Sequence, residues 1–193
     1  MTVRLRFLRQ VDEGGSWPEF NVTLEPRQSL AIEDVLSSAF GLERGFGALQ
    51  VLAGAGSLVV ESRTATTGPR GSVGVGIPAV PAAACFTEAT FPGPVLAGLR
   101  EDDGFRSNLV LVNCGLSPVS LLVQASDGGE ARYELPPLGM LQDARFLARP
   151  ELGGAPRTGV SVTLSAASPA ASFTALATVI DNVTNDPTTV LPQ

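Results

Sequence analysis

Hydrophobic and polar residues alternate along much of the chain. Residues 3–8 (VRLRFL) and 160–164 (VSVTL) carry apolar side chains at every second position, a period that turns one face of a strand toward a core and the other toward solvent. Short unbroken apolar runs at 109–112 and 121–123 are typical of strands that are covered on both faces. The pattern predicts a β-protein.

Turn sequences separate these strands at 12–15 (DEGG), 102–104 (DDG) and 126–129 (SDGG). The clearest helical candidate runs from 32 to 40, where Glu33 and Asp34 would suit a first turn; we expect a further helical turn near 146–152. Many short strands with Gly/Pro-rich turns favour an antiparallel β-sandwich over a parallel α/β sheet.

The chain resembles itself at an offset of about 110 residues, which indicates an internal duplication. The corresponding segments, in the same order in both halves, are 24–26 and 135–137, 47–52 and 159–164, and 57–62 and 172–177. The alternative is that repetitive β sequence aligns easily with itself.

The duplication predicts two tandem sandwich units, 1–80 and 93–193, joined by a Pro/Ala-rich linker at 81–92. The second unit has strand-like segments at 95–99 and 105–113 with no counterpart in the first. We therefore expect the first unit to lack its first strands.

Three segments carry a resemblance to a known group of proteins: FRSNLVLVN at 105–113, LPP at 135–137 and DNVTNDP at 181–187. They resemble tandem immunoglobulin-like repeats of secreted and surface bacterial proteins. The resemblance implies an immunoglobulin-like sandwich and an extracellular or cell-surface location, and it implies no catalytic activity.

The composition excludes several kinds of active site. The chain has no histidine, which removes Ser-His-Asp and Cys-His nucleophile systems and the most common general base. Two cysteines are too few for a four-cysteine zinc site. We expect a protein that is not an enzyme and uses no cofactor.

Charge and hydropathy limit the classes of partner that the chain is expected to bind. The net charge of −6 at pH 7 offers no attraction to nucleic acid phosphates. An apolar run of about eighteen residues, the length that membrane insertion needs, is not found in the sequence. All thirteen basic residues are arginine, a usage typical of a high-GC bacterial genome.

Cys85 and Cys114 are the two cysteines, and in a chain expected to be extracellular they predict a disulfide. Closing a loop of about 30 residues would stabilise the fold by roughly 3 kcal/mol. The alternative is two separate buried thiols.

Weak binding candidates remain. Asp102 and Asp103, and Asp181 and Asp186, offer the hard oxygen ligands that calcium takes, but such residues also close turns by bonding their own backbone. Trp17 could be one exposed contact for a sugar, although a lone tryptophan in a β-protein usually lies in a core or an interface.

We interpret the chain as a non-catalytic extracellular structural or interaction module. A missing strand leaves an open sheet edge, which upstream residues, the other unit or a neighbouring copy could fill. We favour strand addition between copies, with Val3, Leu5 and Phe7 lining the junction and a filament or surface array as the product. Neighbouring domains are the other expected partners. The alternative function is a carbohydrate- or calcium-binding accessory module.

Overall fold

A computed structural model describes residues 1–12, 16–54, 56–68, 71–90 and 93–193. Within these ranges the chain is all-β, with antiparallel sheets, one α-helix and short 3-10 turns. The predicted all-β class is therefore confirmed. The chain divides into two compact units, Met1–Val59 and Val60–Gln193.

The described part of the first unit comprises β1 (Thr2–Arg9), β2 (Glu19–Thr23), α1 (Val35–Phe40) and β3 (Gly47–Ala53). β1 is the central strand of an antiparallel sheet with the order β2-β1-β3. The alternation of its sequence puts Val3, Leu5 and Phe7 on one buried face.

The core of the first unit is small. Val3, Leu5 and Leu24 form its buried cluster, and the Phe7 ring packs against Phe40 of α1 with 5.8 Å between ring centroids. The surrounding apolar side chains are only partly buried: Phe20, Val22, Ile32, Phe40, Val51 and Leu58.

The helix is shorter than the sequence predicted. It begins at Val35, so the expectation that Glu33 and Asp34 occupy its first turn is wrong. Asp34 is the N-cap instead: its carboxylate accepts a hydrogen bond from Ser37 N at 3.4 Å, and its φ of 45° is not helical. Gly41, at φ 64°, ends the helix in the left-handed region that suits glycine.

The second unit contains the remaining described strands: β4 (Glu61–Gly68), β5 (Gly71–Pro78), β6 (Phe86–Thr87), β7 (Val95–Glu101), β8 (Phe105–Asn113), β9 (Val119–Ala125), β10 (Glu130–Leu135), β11 (Met140–Asp143), β12 (Arg157–Ala166), β13 (Ser172–Asp181) and β14 (Pro187–Val190). β4 and β5 form a hairpin. The others form two antiparallel sheets, β10-β9-β12-β7 and β11-β8-β13-β14, and β6 pairs with β13 as well.

Fully buried side chains of both sheets make the core of this sandwich-like unit. Leu99, Leu121 and Leu164 come from one sheet, and Leu111 and Phe173 from the other. Burial of each such side chain contributes about 1.5–3 kcal/mol relative to exposure. The segment predicted to form a helical turn near 146–152 forms two 3-10 turns, in which Phe146, Leu147 and Leu152 are also buried.

Cys85 and Cys114 form a disulfide, with their Cα atoms 6.7 Å apart. Cys85 directly precedes β6 and Cys114 directly follows β8, and both strands pair with β13. The predicted disulfide is therefore confirmed.

The division between the compact units falls before the β4–β5 hairpin, whereas the sequence predicts a first unit that extends to residue 80. The hairpin lies beside the C-terminal strand, since the Thr189 hydroxyl donates to Gly76 O at 3.3 Å. Residues 61–78 belong to the second compact unit, which this contact is consistent with.

Candidate functional site

The residues predicted to line a subunit junction lie in the centre of the first sheet. Val3, Leu5 and Phe7 are 3%, 9% and 3% exposed, and their strand, β1, is paired on both sides. Their backbone groups are therefore used within the unit. A strand could be added to this sheet only beside β2 or β3.

The outer edge of β3 is open over the residues that the structure describes. β3 ends the strand order of its sheet, and no backbone hydrogen bond joins it to a described residue other than those of β1. Its sequence, GALQVLA, contains no charge and no proline. Charged residues and proline are the features by which natural edge strands prevent pairing with other chains, and β3 has neither.

Leu49 and Val51 extend the apolar face of the sheet onto β3. In the antiparallel register they lie opposite Phe7 and Leu5 of β1. Leu49 is 37% exposed and Val51 is half-buried. The strand therefore combines unpaired backbone groups with partly exposed apolar side chains.

Charged side chains protect several of the other edges. β2 carries Glu19, which forms an ion pair with Arg6 at 2.6 Å. β10 alternates charged residues along its length (EARYEL), and β4 begins with Glu61 and carries Arg63. Charges on an edge disfavour pairing with another strand.

Irregular geometry and short length protect further edges. β7 pairs with β12 in a broken register and contains Gly98 at φ 77°, which is typical of a bulge. β11 has four residues and ends in Asp143, which pairs with Arg149 at 2.8 Å. β14 also has four residues and begins with Pro187.

β5 is uncharged like β3, but its surroundings differ. One side is paired with β4, and on the other lies β14, whose Thr189 hydroxyl bonds Gly76 O. β3 is therefore the least protected edge among the described strands.

The opposite face of the first sheet is polar. The Arg6 guanidinium lies 5.7 Å from the centre of the Trp17 ring and donates to Gln50 Oε1 at 3.1 Å. Hydrogen bonding from Arg6 holds the pKa of the Glu19 carboxyl below its usual value. Trp17 is 40% exposed, which leaves part of its ring accessible for a contact.

The candidate calcium residues lie in two neighbouring turns. The Asp102 carboxylate accepts hydrogen bonds from Gly104 N at 2.8 Å and Phe105 N at 3.0 Å. Asn182 Nδ2 donates to the carbonyl oxygens of Asp102 and Asp103 at 3.2 and 3.1 Å, which joins the turn after β7 to the turn after β13. The sequence did not reveal this link.

The second of these turns is closed in the same way. The Asp181 carboxylate accepts from Val183 N at 2.7 Å and Thr184 N at 2.9 Å, and Asp186 N donates to Thr184 Oγ1 at 3.2 Å. In the described ranges, no group of three or more acidic, histidine or cysteine side chains is placed to hold a metal ion. The backbone hydrogen bonds that Asp102 and Asp181 accept close these two turns.

Two buried polar groups organise the second unit through contacts that the sequence did not predict. Asn113 Nδ2 donates to Ser117 O at 2.7 Å and Pro136 O at 2.8 Å. The fully buried Glu101 accepts from Arg145 Nε at 2.7 Å. The only local signal was a polar residue at the end of an apolar strand. These contacts hold loops of the second unit in place.

Comparison of the chain with protein families, with curated proteins and with solved structures found no match. Among the described residues, no helix has the length and apolar character needed to cross a membrane.

Proposed function

We propose that this chain is a non-catalytic extracellular structural module that associates with copies of itself through an open sheet edge in its first unit. The observation that carries the proposal is the uncharged outer edge of β3, with Leu49 partly exposed beside it. Unpaired N–H and C=O groups on such an edge are a template for strand addition.

A duplication of immunoglobulin-like units, which we also propose, would explain the open edge. The order β2-β1-β3 in the first unit parallels β10-β9-β12 in the second, and all of these pairs are antiparallel. In the second unit the outer side of β12 is occupied by β7. If β3 corresponds to β12, the outer side of β3 is the position that β7 occupies in the second unit. We propose that a strand of a neighbouring copy or domain fills this position.

The disulfide supports an extracellular location. Disulfides persist in oxidising compartments and are rare where thiols are kept reduced, and both cysteines of this chain are used in the Cys85–Cys114 bond. The same compartment contains the bacterial surface arrays and filaments in which a module of this kind would serve.

The geometry of the contact determines which kind of assembly forms. Pairing between unlike edges repeats head to tail and grows into an open filament, whereas pairing between like edges closes at two copies. Light scattering over a range of concentrations, combined with electron microscopy, tests the proposal. Particles larger than one chain are expected; a monomer at every concentration would reject self-association.

A second candidate is sugar binding at the polar face of the first sheet. The partly exposed Trp17 ring beside Arg6 and Glu19 favours it, since aromatic rings and polar side chains together bind sugars. Binding on a glycan array that Trp17→Ala abolishes would support this function. The absence of any bound glycan would reject it for the glycans tested.

A further inference from the structure

We infer that β3 pairs with β3 of a second copy in an antiparallel arrangement, with Gln50 on the two-fold axis and Leu49 opposite Val51 of the second copy. The inference rests on the proposed self-association through β3 and adds the partner edge, the register and the symmetry. It replaces an open filament with a closed pair.

We choose β3 as the partner of β3 because the other sheet edges carry features that disfavour pairing with another strand. A head-to-tail contact needs a second unprotected edge as the donor, but the remaining edges are charged, bulged, very short or covered by another strand. Among the strands that the structure describes, β3 is the edge without these features. A contact of β3 with itself needs no other edge, and such a contact is isologous and closes at two copies.

The apolar face fixes the register. Leu49 and Val51 point to the same side as Phe7 and Leu5, their partners in β1. Centring the pair on Gln50 brings all seven residues of β3 into the ladder and places each Leu49 opposite a Val51. Directly opposed apolar side chains stabilise antiparallel pairs. A slip of one residue would turn these side chains to the opposite face.

Electrostatics permits the self-contact. β3 brings no charge to the junction. The nearest cation on the polar face, Arg6, lies one strand away on β1 and is neutralised by Glu19. The backbones of the two Arg6 residues would be about 14 Å apart across three strand spacings, and each guanidinium, which contacts both Glu19 and Gln50, keeps its ion pair with Glu19 of the same copy. Like charges therefore do not oppose the pair.

The pairing also completes the sheet. Two three-stranded sheets become one continuous six-stranded sheet with the order β2-β1-β3-β3-β1-β2. Leu49 and Val51 are then covered by the second copy, and both outer edges of the new sheet are β2 strands that carry Glu19. A charged edge stops further addition, so the assembly ends at a dimer.

Cysteine cross-linking tests the register. Both natural cysteines are bonded to each other, so Gln50→Cys introduces a single free thiol at the proposed two-fold axis. Opposed residues of antiparallel strands have Cα atoms about 4.5–5.5 Å apart, within the range of a disulfide. Asn21→Cys on the β2 edge is the matched control, since that edge stays outside the contact.

Mild oxidation of Gln50→Cys is expected to give a covalent dimer at least about tenfold faster than oxidation of Asn21→Cys, because opposed thiols react within the complex. Adding Leu49→Lys should remove this advantage, whereas Leu30→Lys, at another exposed leucine, should preserve it. Circular dichroism of each variant confirms that the fold is intact.

The outcomes separate the inference from the proposed function. A wild-type chain that is monomeric at every concentration overturns both. A wild-type chain that self-associates, but whose Gln50→Cys variant cross-links no faster than Asn21→Cys, overturns the β3 pair alone. If Leu49→Lys fails to fold, the ratio of the cross-linking rates of Gln50→Cys and Asn21→Cys still tests whether β3 pairs with itself.

Discussion

Leu5 of β1 lies directly opposite Val51 of β3 in the antiparallel register of the first sheet. Leu5 is buried and Val51 is only half-buried, although both belong to one apolar face. The hydrophobic surface of the sheet thus continues to its open edge without a polar boundary. A strand added beyond β3 would flank Val51 on its open side, as β2 and β3 flank Leu5.

Loss of the disulfide is expected to destabilise the second unit. Cys85 and Cys114 are 29 residues apart, and opening a loop of that length should lower the free energy of unfolding by about 3 kcal/mol. Urea denaturation of wild type and of Cys85→Ser/Cys114→Ser, followed by far-UV circular dichroism, measures the change. A reductant should shift the wild-type midpoint and leave the variant unaffected. Equal midpoints for wild type with and without reductant would contradict the prediction.

Asn113→Ala is expected to lower the free energy of unfolding by about 2 kcal/mol, because the fully buried Asn113 amide would no longer donate to the carbonyl oxygens of Ser117 and Pro136. Asn21→Ala removes the same type of side chain from an exposed strand position and should change stability by less than about 0.5 kcal/mol. Thermal and urea unfolding compare the two variants. An equally mild effect of both would show that Asn113 does not hold the loops.

Arg145→Ala is expected to lower the free energy of unfolding by about 2 kcal/mol, because it leaves the fully buried Glu101 carboxylate without its ion-pair partner. Glu101→Gln removes the charge that needs pairing, so Arg145→Ala should cost clearly less in that background. A double-mutant cycle on urea unfolding isolates the coupling between the two residues. Additive effects would mean that the pair contributes nothing beyond its separate side chains.

Acid should weaken the second unit partly through Asp181. Backbone hydrogen bonds from Thr184 and Val183 hold the pKa of this carboxyl below its ordinary value of 3.8. A carboxyl whose folded pKa is depressed contributes stability above its unfolded pKa, and that contribution is lost as the pH falls through the folded pKa. Asp181→Asn should therefore lose less stability than wild type between about pH 5 and pH 2.

Urea unfolding at several pH values measures this difference. Asp186→Asn removes one negative charge from the same turn and serves as the control for net charge. If Asp181→Asn and wild type lose stability in parallel on acidification, the two backbone hydrogen bonds do not favour the charged carboxylate.

Local patterns predicted what depends on local chemistry. Alternation in VRLRFL was enough to place Val3, Leu5 and Phe7 on one buried face, and two cysteines in a chain expected to be extracellular were enough to predict their bond. The start of the helix was predicted too early because an aspartate such as Asp34 is common both in the first turn of a helix and at the N-cap before it. In the structure, its φ of 45° and the hydrogen bond from Ser37 N identify Asp34 as the N-cap.

The sequence could not reveal which strand lies at an edge, because strand order depends on contacts between distant segments. β1 and β3 both look like strands with an apolar face, yet β1 is central and β3 is open on one side. The roles of Asn113 and Glu101 depend in the same way on partners far along the chain. No spacing rule links these residues.

Hydrogen exchange of the β3 amides as a function of protein concentration tests the central claim most directly. Strand addition would protect backbone amides within 47–53 in a concentrated sample relative to a dilute one, because the outward N–H groups become hydrogen-bonded. Amides of the β2 edge within 19–23 should exchange equally in both samples. Equal exchange of 47–53 at both concentrations, in a sample shown to be folded, would contradict association through this edge.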